Sequence, residues 1–283
     1  MVDYDAGPYL ADCVQSLQGV GVTAMVVVEN GNGEAARTVL AEHDLEAVPL
    51  LVTGRNLGYG AGANRGLAAL ESGQYVLVCN PDLVVHPGAL ETLARALDGH
   101  RDWAIVGPRI LTPEGVAYPS ARLFPPPWVA AGHALLGLAF RDNPFTRRYR
   151  TPEMHSNMAE VDWVSGACFL ARRQVLEDLG GFDERYFMFA EDMDLCWRAG
   201  RAGWRIGFEP GAIVTHHEGI SRRIHPYRMA LAHHRSALRF ASRTMTGPRR
   251  VLLAGAAAGL GVRLVAVWAA LAVRGVRRSP QPG

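Results

Sequence analysis

Residues 75–85 read YVLVCNPDLVV, and this stretch decides the fold. The apolar run of residues 75–79 stops at Asn80-Pro81-Asp82 and resumes with Leu83-Val84-Val85. A short apolar run that ends in a turn signal predicts a buried strand. Open α/β sheets bind ligands at the carboxyl ends of their strands, so the acidic residue here indicates a ligand site. Asn-Pro-Asp is also typical of a plain β-turn, and on this stretch alone that alternative stays open.

Short strands and helices alternate around this stretch. Strands are predicted at 25–28, 48–53 and 75–79, and helices at 8–18, 35–42 and 58–70. This alternation predicts an α/β fold with a mostly parallel sheet flanked by helices. Two more strands end in polar residues, Glu29-Asn30 and Arg55-Asn56, so polar strand ends are expected along one edge, which favours a nucleotide site over a plain turn. Before the first helix, residues 1–7 hold only the last residues of a first strand.

The composition of the chain is that of a globular protein. It has 283 residues, of which 49% are hydrophobic and 20% charged, and its net charge of +2 does not predict a nucleic-acid partner. Four widely spaced cysteines form no CxxC pair, so they are expected to be small buried side chains. No signal peptide is visible, and both observations fit a reducing cytoplasm.

Residues 162–206 hold the richest set of chemical groups. Glu191 and Asp192 follow an aromatic run, and a helix is predicted after them, with Asp194 and Arg198 as an i,i+4 pair. Carboxylates in the first turn of a helix are favoured by its dipole, so a capping role is one interpretation. The other is a general base, because burial among aromatic residues would tune the basicity of Asp192 toward taking a proton from a hydroxyl.

A second candidate cluster lies in residues 213–221, which read IVTHHEGIS. A strand-like Ile213-Val214-Thr215 leads into His216-His217, and such a His pair is more often structural than metal-binding. A neutral imidazole at His216 and the carboxylate of Asp82 could instead share a divalent ion with the oxygens of a diphosphate.

Taken together, these motifs resemble the family 2 inverting glycosyltransferases with the GT-A fold, over residues 3 to about 240. Within them the chain is similar to bacterial rhamnosyltransferases that act on polyprenyl-diphosphate-linked N-acetylglucosamine. The matching motifs occur in the family's order: Tyr4-Asp5 with Gly7; Val27-Val28-Glu29-Asn30; Asn56-Leu57-Gly58-Tyr59-Gly60 with Asn64-Arg65-Gly66; Asn80-Pro81-Asp82; Trp163-Val164-Ser165-Gly166; Glu191-Asp192; and His216-x-x-Gly219-x-Ser221. Glu29 and Asn80 replace the family's commoner Asp, and Tyr59 stands where the family's segment has Phe.

The resemblance implies a role for each matched residue. It implies that Asp192, with Glu191 beside it, is catalytic, and that Asp82 and His216 hold Mg²⁺ or Mn²⁺. The implied acceptor-binding residues are Trp163, Ser165, Gly166 and Glu191. The implied nucleotide-sugar contacts are Tyr4, Glu29, Asn30, Asn56, Gly58, Gly60, Asn64, Asn80 and Asp82.

The resemblance also implies a domain plan and a reaction. A GT-A domain is expected at 1–240, with a nucleotide-binding half at 1–110 and an acceptor half at 111–240 that includes a loop at 119–152. The expected reaction moves a sugar, L-rhamnose from dTDP-rhamnose, onto the lipid-linked acceptor in cell-wall or polysaccharide synthesis. Two alternatives stay open: a UDP-hexose donor, and a non-catalytic membrane-bound binder of sugar nucleotides. No Gly-rich segment with basic residues for a triphosphate is present, which disfavours a nucleotidyltransferase.

The carboxyl-terminal residues 241–283 are expected to form a membrane-associating helical tail. Residues 251–273 are apolar except for Arg263 and are long enough to span a bilayer. A central arginine costs roughly 2.5–3.5 kcal/mol on insertion scales, which favours one or two helices lying in the interface of the cytoplasmic face. Spanning, and packing on a soluble domain, stay open, as does a lid or membrane role for the apolar and basic loop at 119–152.

Overall fold

The computed structural model describes residues 1–137, 140, 142–150, 156–217 and 226–276. The chain divides into two compact units. Unit 1 comprises residues 1–124, 150–187 and 191–221, and unit 2 comprises 125–149, 188–190 and 222–283. These boundaries differ from the expected ones, since residue 240 falls inside a helix and residues 125–149 belong to unit 2 rather than to the acceptor half.

The first part of unit 1 alternates strands and helices as the sequence predicts. Strands β1 (Val2–Asp3), β2 (Val27–Glu29) and β3 (Leu50–Val52) form a parallel three-stranded sheet with β2 in the centre, and Asp3 lies beside Glu29 in its register. Strand β1 contributes only two residues to the ladder. The elements are β1 (Val2–Asp3), α1 (Tyr9–Leu17), β2 (Val27–Glu29), α2 (Glu34–Glu42), β3 (Leu50–Val52), α3 (Tyr59–Ala69), β4 (Tyr75–Cys79) and β5 (Leu83–Val85).

The rest of unit 1 adds helices and the strands of a larger sheet. Its elements are α4 (Ala89–Gly99), β6 (Trp103–Leu111), β7 (Ala117–Tyr118), β8 (Ala121–Arg122), β9 (Ala159–Val161), β10 (Trp163–Val164), β11 (Cys168–Arg172), α7 (Arg173–Asp178), α8 (Glu191–Arg201) and β12 (Arg205–His216). The larger sheet has the order β4-β11-β6-β12-β5, with β7 on β6 and β9 on β12. Strands β8 and β10 pair separately.

The α/β class is confirmed, but the expected predominance of parallel pairs does not extend to the larger sheet. Among the described strands of that sheet, only β6 and β12 pair in parallel, whereas β11 runs antiparallel to both β4 and β6, and β5 and β9 run antiparallel to β12. The sequence patterns predict strands only as far as β4 and at residues 213–215. They do not predict β11, whose five residues cover the full length of β4.

Buried aliphatic and aromatic side chains explain why these elements hold together. Leu10, Val14 and Val27 are almost fully buried in one cluster, and Phe169, Phe208 and Leu195 in another. All four cysteines are buried and free, as the sequence predicts. Apolar burial of this kind is the main favourable contribution to folding.

Unit 2 is helical in the part that the structure describes. It contains α5 (Pro127–Leu136), α6 (Pro144–Arg150, whose last residue falls in unit 1), α9 (Pro226–Thr244), a 3₁₀ turn at Gly247–Val251 and α10 (Leu252–Val276). The expectation of an irregular loop at 119–152 is thus wrong for residues 127–136 and 144–150, which are helical. Proline at the first position of α5 favours this, because its fixed φ suits the start of a helix. By length and composition, Leu252–Val273 could cross a membrane.

Candidate active site

Asp82, His216 and Asn80 form one cluster at the carboxyl end of β4. Asp82 lies in the turn between β4 and β5, and antiparallel pairing of β5 with β12 places His216 opposite Leu83. Nε2 of His216 lies 3.0 Å from Oδ1 of Asp82 and 3.3 Å from Nδ2 of Asn80. Asp82 and His216 are both buried. The structure thus brings together the two residues predicted to bind a metal.

This cluster fits a divalent ion that is shared with a substrate. A carboxylate oxygen and an imidazole nitrogen 3.0 Å apart are suitable ligands for Mn²⁺, and the carboxylate suits Mg²⁺. Among the described residues, no group of three His, Cys, Asp or Glu side chains is placed to hold a metal by itself. Mg²⁺ commonly takes only one or two protein carboxylates and completes its shell with phosphate and water, so the small donor set is compatible with such a site. Glu218, Gly219 and Ser221 of the matched motif lie outside the described residues.

On the nucleotide side, Glu29 lies beside Asp3 at the ends of β2 and β1. Both carboxyl groups are buried and hydrogen-bonded to each other. Burial, and then the hydrogen bond and charge of Asp3, raise the pKa of Glu29 to about 8. Burial also raises the pKa of Asp3. Glu29 therefore carries the proton near neutral pH and Asp3 the charge.

Asn30 organises the loop that follows β3. Its Nδ2 donates to the Gly58 carbonyl at 2.9 Å and to Oδ1 of Asn56 at 3.3 Å, and its Oδ1 accepts from the Leu57 amide at 2.9 Å. Oδ1 of Asn56 also accepts from the Gly58 amide at 2.9 Å. The structure thus gathers Asn30, Asn56 and Gly58 next to Glu29. Tyr4 is close as well, since its ring lies near Gly31.

The predicted nucleotide contacts on α3 have other partners in the structure. Nδ2 of Asn64 donates to the Phe182 carbonyl at 2.9 Å, and its Oδ1 accepts from the Phe182 amide at 2.8 Å. A Cβ on Gly60 would lie 2.9 Å from Cβ of Phe182, so glycine permits this close packing. Asn64 and Gly60 thus fasten α3 to the segment before α8, and their contact with a nucleotide stays a prediction.

Asp192 has the geometry of a prepared base. Its Oδ2 accepts from the Gly166 amide and its Oδ1 from the Met193 amide, both at 2.8 Å. The amide of Gly166 comes from a different segment, so the capping interpretation alone does not account for this carboxylate. Phe189 and Ala190, both with φ above +60°, precede Glu191 and turn the chain into α8. A backbone of this kind is costly for residues other than glycine and is concentrated at functional sites.

The two neighbouring carboxyl groups differ in protonation. Burial, followed by the negative charge of Asp192, raises the pKa of Glu191 to about 8. Burial raises the pKa of Asp192 too, while the amides of Gly166 and Met193 and the charge of Arg122 oppose that rise. Because Asp192 has these donors, it carries the charge and Glu191 the proton. Pairs whose environments separate their pKa values in this way are typical of acid–base sites.

Tyr59 and Arg122 also contact the residues of this candidate site, although the sequence motifs predict no role for either. The Tyr59 hydroxyl donates to the Gly166 carbonyl at 2.6 Å, so Gly166 is held from one side by Tyr59 and from the other by Asp192. Arg122 stacks over the Trp163 ring at 4.9 Å, and its charge acts on Asp192. A usable signal for Tyr59 was its hydroxyl at a position where the family's segment has Phe. Arg122 is brought near by pairing of β8 with β10, which no local pattern indicates.

The remaining predicted acceptor residues lie on the same segment. Trp163 is buried in β10, and the Ser165 amide donates to the Ser120 carbonyl at 2.7 Å. The Asn80 amide donates to the Ala167 carbonyl at 2.8 Å, which ties this segment to the cluster of Asp82 and His216. The structure thus links the predicted metal ligands to the predicted base through residues 165–167.

The sequence profile described as Glycosyltransferase like family 2 matches residues 2–225, most of the chain. The chain therefore belongs to glycosyltransferase family 2, and it is an enzyme of that class.

Individual relatives agree with this family. The chain is 38% identical over 250 residues to the N-acetylglucosaminyl-diphospho-decaprenol L-rhamnosyltransferase of Mycobacterium tuberculosis (strain ATCC 25618 / H37Rv), covering 84% of this chain and 81% of that protein. It is 34% identical over 209 residues to the pre-mycofactocin glycosyltransferase of the same strain, covering 72% of this chain and 38% of that protein.

Solved structures confirm the GT-A fold. The mannosyltransferase PcManGT from Pyrobaculum calidifontis, in complex with GDP-Man and Mn²⁺, has a TM-score of 0.56 at 17% identity, over 98% of this chain and 78% of that one. GalNAc-T7 with UDP, GalNAc and Mn²⁺ has a TM-score of 0.56 at 14% identity, over 76% of this chain and 42% of that one. At these identities the likeness concerns the fold.

Proposed function

We propose that this glycosyltransferase transfers L-rhamnose from dTDP-rhamnose, with inversion, to a polyprenyl-diphosphate-linked N-acetylglucosamine in cell-wall or polysaccharide synthesis. The observation that carries the reaction type is the Asp192 carboxylate, which is held by two amides and paired with a protonated Glu191. The donor and acceptor are supported by the 38% identity to the mycobacterial rhamnosyltransferase.

In the proposed mechanism, Asp192 takes the proton from an acceptor hydroxyl. Each of its oxygens accepts one amide hydrogen, which leaves lone pairs for that proton. The deprotonating hydroxyl attacks the anomeric carbon on the face opposite the nucleoside diphosphate, and the C–O bond to the diphosphate breaks. This single displacement inverts the configuration. Trp163, Ser165, Gly166 and Glu191 would orient the acceptor sugar.

The donor would lie along the strand ends of the nucleotide half at 1–110. Glu29, Asn30, Asn56 and Gly58 would contact the nucleoside, with Tyr4 beside them. Asp82 and His216 would hold Mg²⁺ or Mn²⁺, with Asn80 next to them. When bound, the ion would neutralise charge on the departing diphosphate.

The proposed site of action is the cytoplasmic face of the cell membrane. A polyprenyl-linked acceptor resides in a bilayer, and helix α10 is long and apolar enough to associate with one. Unit 2 would then contact the lipid part of the acceptor, and unit 1 would bind the water-soluble donor.

A transfer assay tests this proposal. Membranes containing polyprenyl-diphosphate-N-acetylglucosamine are offered dTDP-rhamnose or UDP-sugars, with and without EDTA. Transfer from dTDP-rhamnose alone, lost with chelator, is the expected result. Transfer from a UDP-hexose alone would replace the donor assignment, and nucleotide binding without any transfer would favour the binder alternative.

A further inference from the structure

The charges of the chain are divided very unevenly along the sequence. Residues 219–283 contain twelve arginines and no aspartate or glutamate, whereas residues 1–218 contain all 27 acidic residues and 17 arginines. Although the net charge of the whole chain is only +2, its carboxyl-terminal region is therefore strongly cationic. A cationic region joined to apolar helices is attracted to anionic membrane surfaces.

Helices α9 and α10 form an antiparallel hairpin. Near one end, the Trp268 ring lies 6.3 Å from the Tyr227 ring, and its Nε1 donates to the Tyr227 carbonyl at 3.3 Å. Further along, Nη1 of Arg263 donates to Nε2 of His234 at 3.0 Å. The two helices thus pack along each other and define one structural element.

Helix α10 has an inner face toward α9 and an apolar outer face. We define the outer face by Val262, Val265 and Val273, which recur at helical spacing and are 69%, 66% and 55% exposed. Arg263 lies on the inner face with its partner His234. Among the side chains that the structure describes, the outer face therefore carries no charge, which suits contact with lipid acyl chains.

The pairing of Arg263 with His234 argues against a helix that crosses the bilayer alone. Nδ1 of His234 donates to the Ala230 carbonyl at 2.7 Å, so the neutral ring offers Nε2 as acceptor to Arg263. Burial, and also the charge of Arg263, lower the pKa of His234 and keep the ring neutral. A spanning α10 would carry Arg263 to mid-membrane without α9, and would lose this partner.

Helix α9 carries a line of exposed arginines, which we call the arginine stripe. Arg228, Arg235 and Arg239 follow an i, i+7, i+11 spacing, so they share one face of the helix. Tyr227 and His234, which contact α10, lie on a different face. The hairpin thus combines an apolar face on one helix with a cationic face on the other.

Helix α5 extends the apolar surface of unit 2. It contacts α10, and its Trp128 and Leu135 are 56% and 60% exposed. The guanidinium of Arg148 lies 5.2 Å from the Trp128 ring. Aromatic and arginine side chains together are typical of the boundary between lipid headgroups and acyl chains.

We propose that the α9–α10 hairpin docks on an anionic phospholipid bilayer and enters only one leaflet, with the outer face of α10 among the acyl chains and the arginine stripe on lipid phosphates. The inference rests on the proposed function, because it defines the lipid partner of an enzyme with a lipid-linked acceptor. The tests below measure lipid binding and the side of the membrane on which the chain ends. The docking proposal can therefore fail while sugar transfer is confirmed, and sugar transfer can fail while docking is confirmed.

The first experiment measures flotation of the full chain with vesicles of neutral phosphatidylcholine or of phosphatidylcholine mixed with anionic phosphatidylglycerol. The test variant is Arg228→Gln/Arg235→Gln/Arg239→Gln. The control variant, Arg37→Gln/Arg95→Gln/Arg101→Gln, removes the same charge from exposed positions of unit 1. Each basic residue near an anionic surface contributes about fivefold to binding, so the test variant should bind mixed vesicles about 100-fold more weakly.

Three outcomes of this experiment would contradict the proposed binding of the arginine stripe to lipid phosphates. They are equal losses in the test and control variants, unchanged binding of the test variant, and equal binding of the normal chain to both vesicle types. If the wild-type chain does not float with either vesicle type and is a dimer in solution, the outer face of α10 binds a second copy of the chain instead of lipid.

The second experiment determines on which side of the membrane the chain ends. A protease-sensitive tag is placed after Gly283, and protease is added to intact spheroplasts or to inverted membrane vesicles. Entry into one leaflet leaves the tag on the same side as unit 1, so it is cleaved only in inverted vesicles. Cleavage in intact spheroplasts would show that α10 spans the bilayer and would overturn the proposal.

Discussion

Unit 1 contains two pairs of buried carboxyl groups that are built differently. Asp3 and Glu29 are neighbours across two parallel strands, while Glu191 and Asp192 are consecutive residues in the first turn of a helix. In both pairs the glutamate has a pKa near 8. Asp3 and Glu29 are hydrogen-bonded to each other, and Oδ1 of Asp3 also accepts from the Ala6 amide, whereas both oxygens of Asp192 accept amide hydrogens and Glu191 lies beside them.

This difference is what the proposed function predicts, with one pair serving nucleotide binding and the other the chemistry. In the first pair the proton of Glu29 is directed to Asp3, and Oδ1 of Asp3 also accepts from the Ala6 amide at 3.1 Å, so these groups are engaged with each other and with their own loop. In the second pair the amides stabilise the charge on Asp192, which is thereby available to a hydroxyl. The predictions below test whether the two pairs really differ in this way.

The largest effect is expected for Asp192→Asn. An amide cannot take a proton, so kcat should fall by about 10²–10⁴-fold, the usual contribution of a general base. Nucleotide affinity should stay near that of the normal enzyme, because Asp192 lies on the acceptor side. The measurements are transfer kinetics and nucleotide titration, with Asp12→Asn on the exposed surface of α1 as the control. Near-normal turnover by Asp192→Asn would show that the base is another residue.

A smaller effect is expected for Tyr59→Phe, which removes the donor to the Gly166 carbonyl. An unsatisfied buried carbonyl costs about 1–3 kcal/mol, so kcat should fall by roughly tenfold to a hundredfold if Gly166 shifts. A less well aligned Gly166 amide would also raise the pKa of Asp192, so the acid limb of the kcat profile should move to higher pH.

Tyr186→Phe is the matched control for Tyr59→Phe. Tyr186 is also buried, and its hydroxyl lies 3.4 Å from Oδ1 of Asp194. Tyr186→Phe should lower the free energy of unfolding without shifting the pH profile of kcat. If the wild-type enzyme, Tyr59→Phe and Tyr186→Phe all have the same pH profile of kcat, Tyr59 supports only the fold.

Glutamine substitutions at the two glutamates should have the smallest effect on catalysis. Because Glu29 and Glu191 carry protons near neutral pH, glutamine resembles their native state more closely than asparagine resembles Asp192. We expect kcat/KM to fall by about two- to tenfold for Glu29→Gln and for Glu191→Gln, the value of one hydrogen bond. A loss from Glu191→Gln as large as that from Asp192→Asn would mean that Glu191 acts as a carboxylate.

The sequence predicted well what is local and less well what depends on distant pairing. The elements up to β4 and the Asp194–Arg198 ion pair at 2.7 Å follow from local patterns, whereas the approach of Asp82 to His216 is expected only from the family resemblance. Asp3 as the partner of Glu29 depends on strand register, which no pattern in a two-residue strand specifies. The antiparallel pairing of β11 and the pairing of α9 with α10 are likewise contacts between distant segments.

The pH dependence of stability offers a last comparison that does not involve catalysis. The pKa values of Glu29 and Glu191 rise from the ordinary 4.5 to about 8 on folding, so the folded protein binds more protons between these values than the unfolded chain. Their contribution to stability is complete below about pH 4.5 and is lost as the pH rises through about 8. Each group should lower the free energy of unfolding by up to about 1.4 kcal/mol per pH unit in this window. Urea unfolding of Glu29→Gln/Glu191→Gln should therefore give a flatter profile than the normal chain, and equal slopes would show that the two glutamates ionise normally.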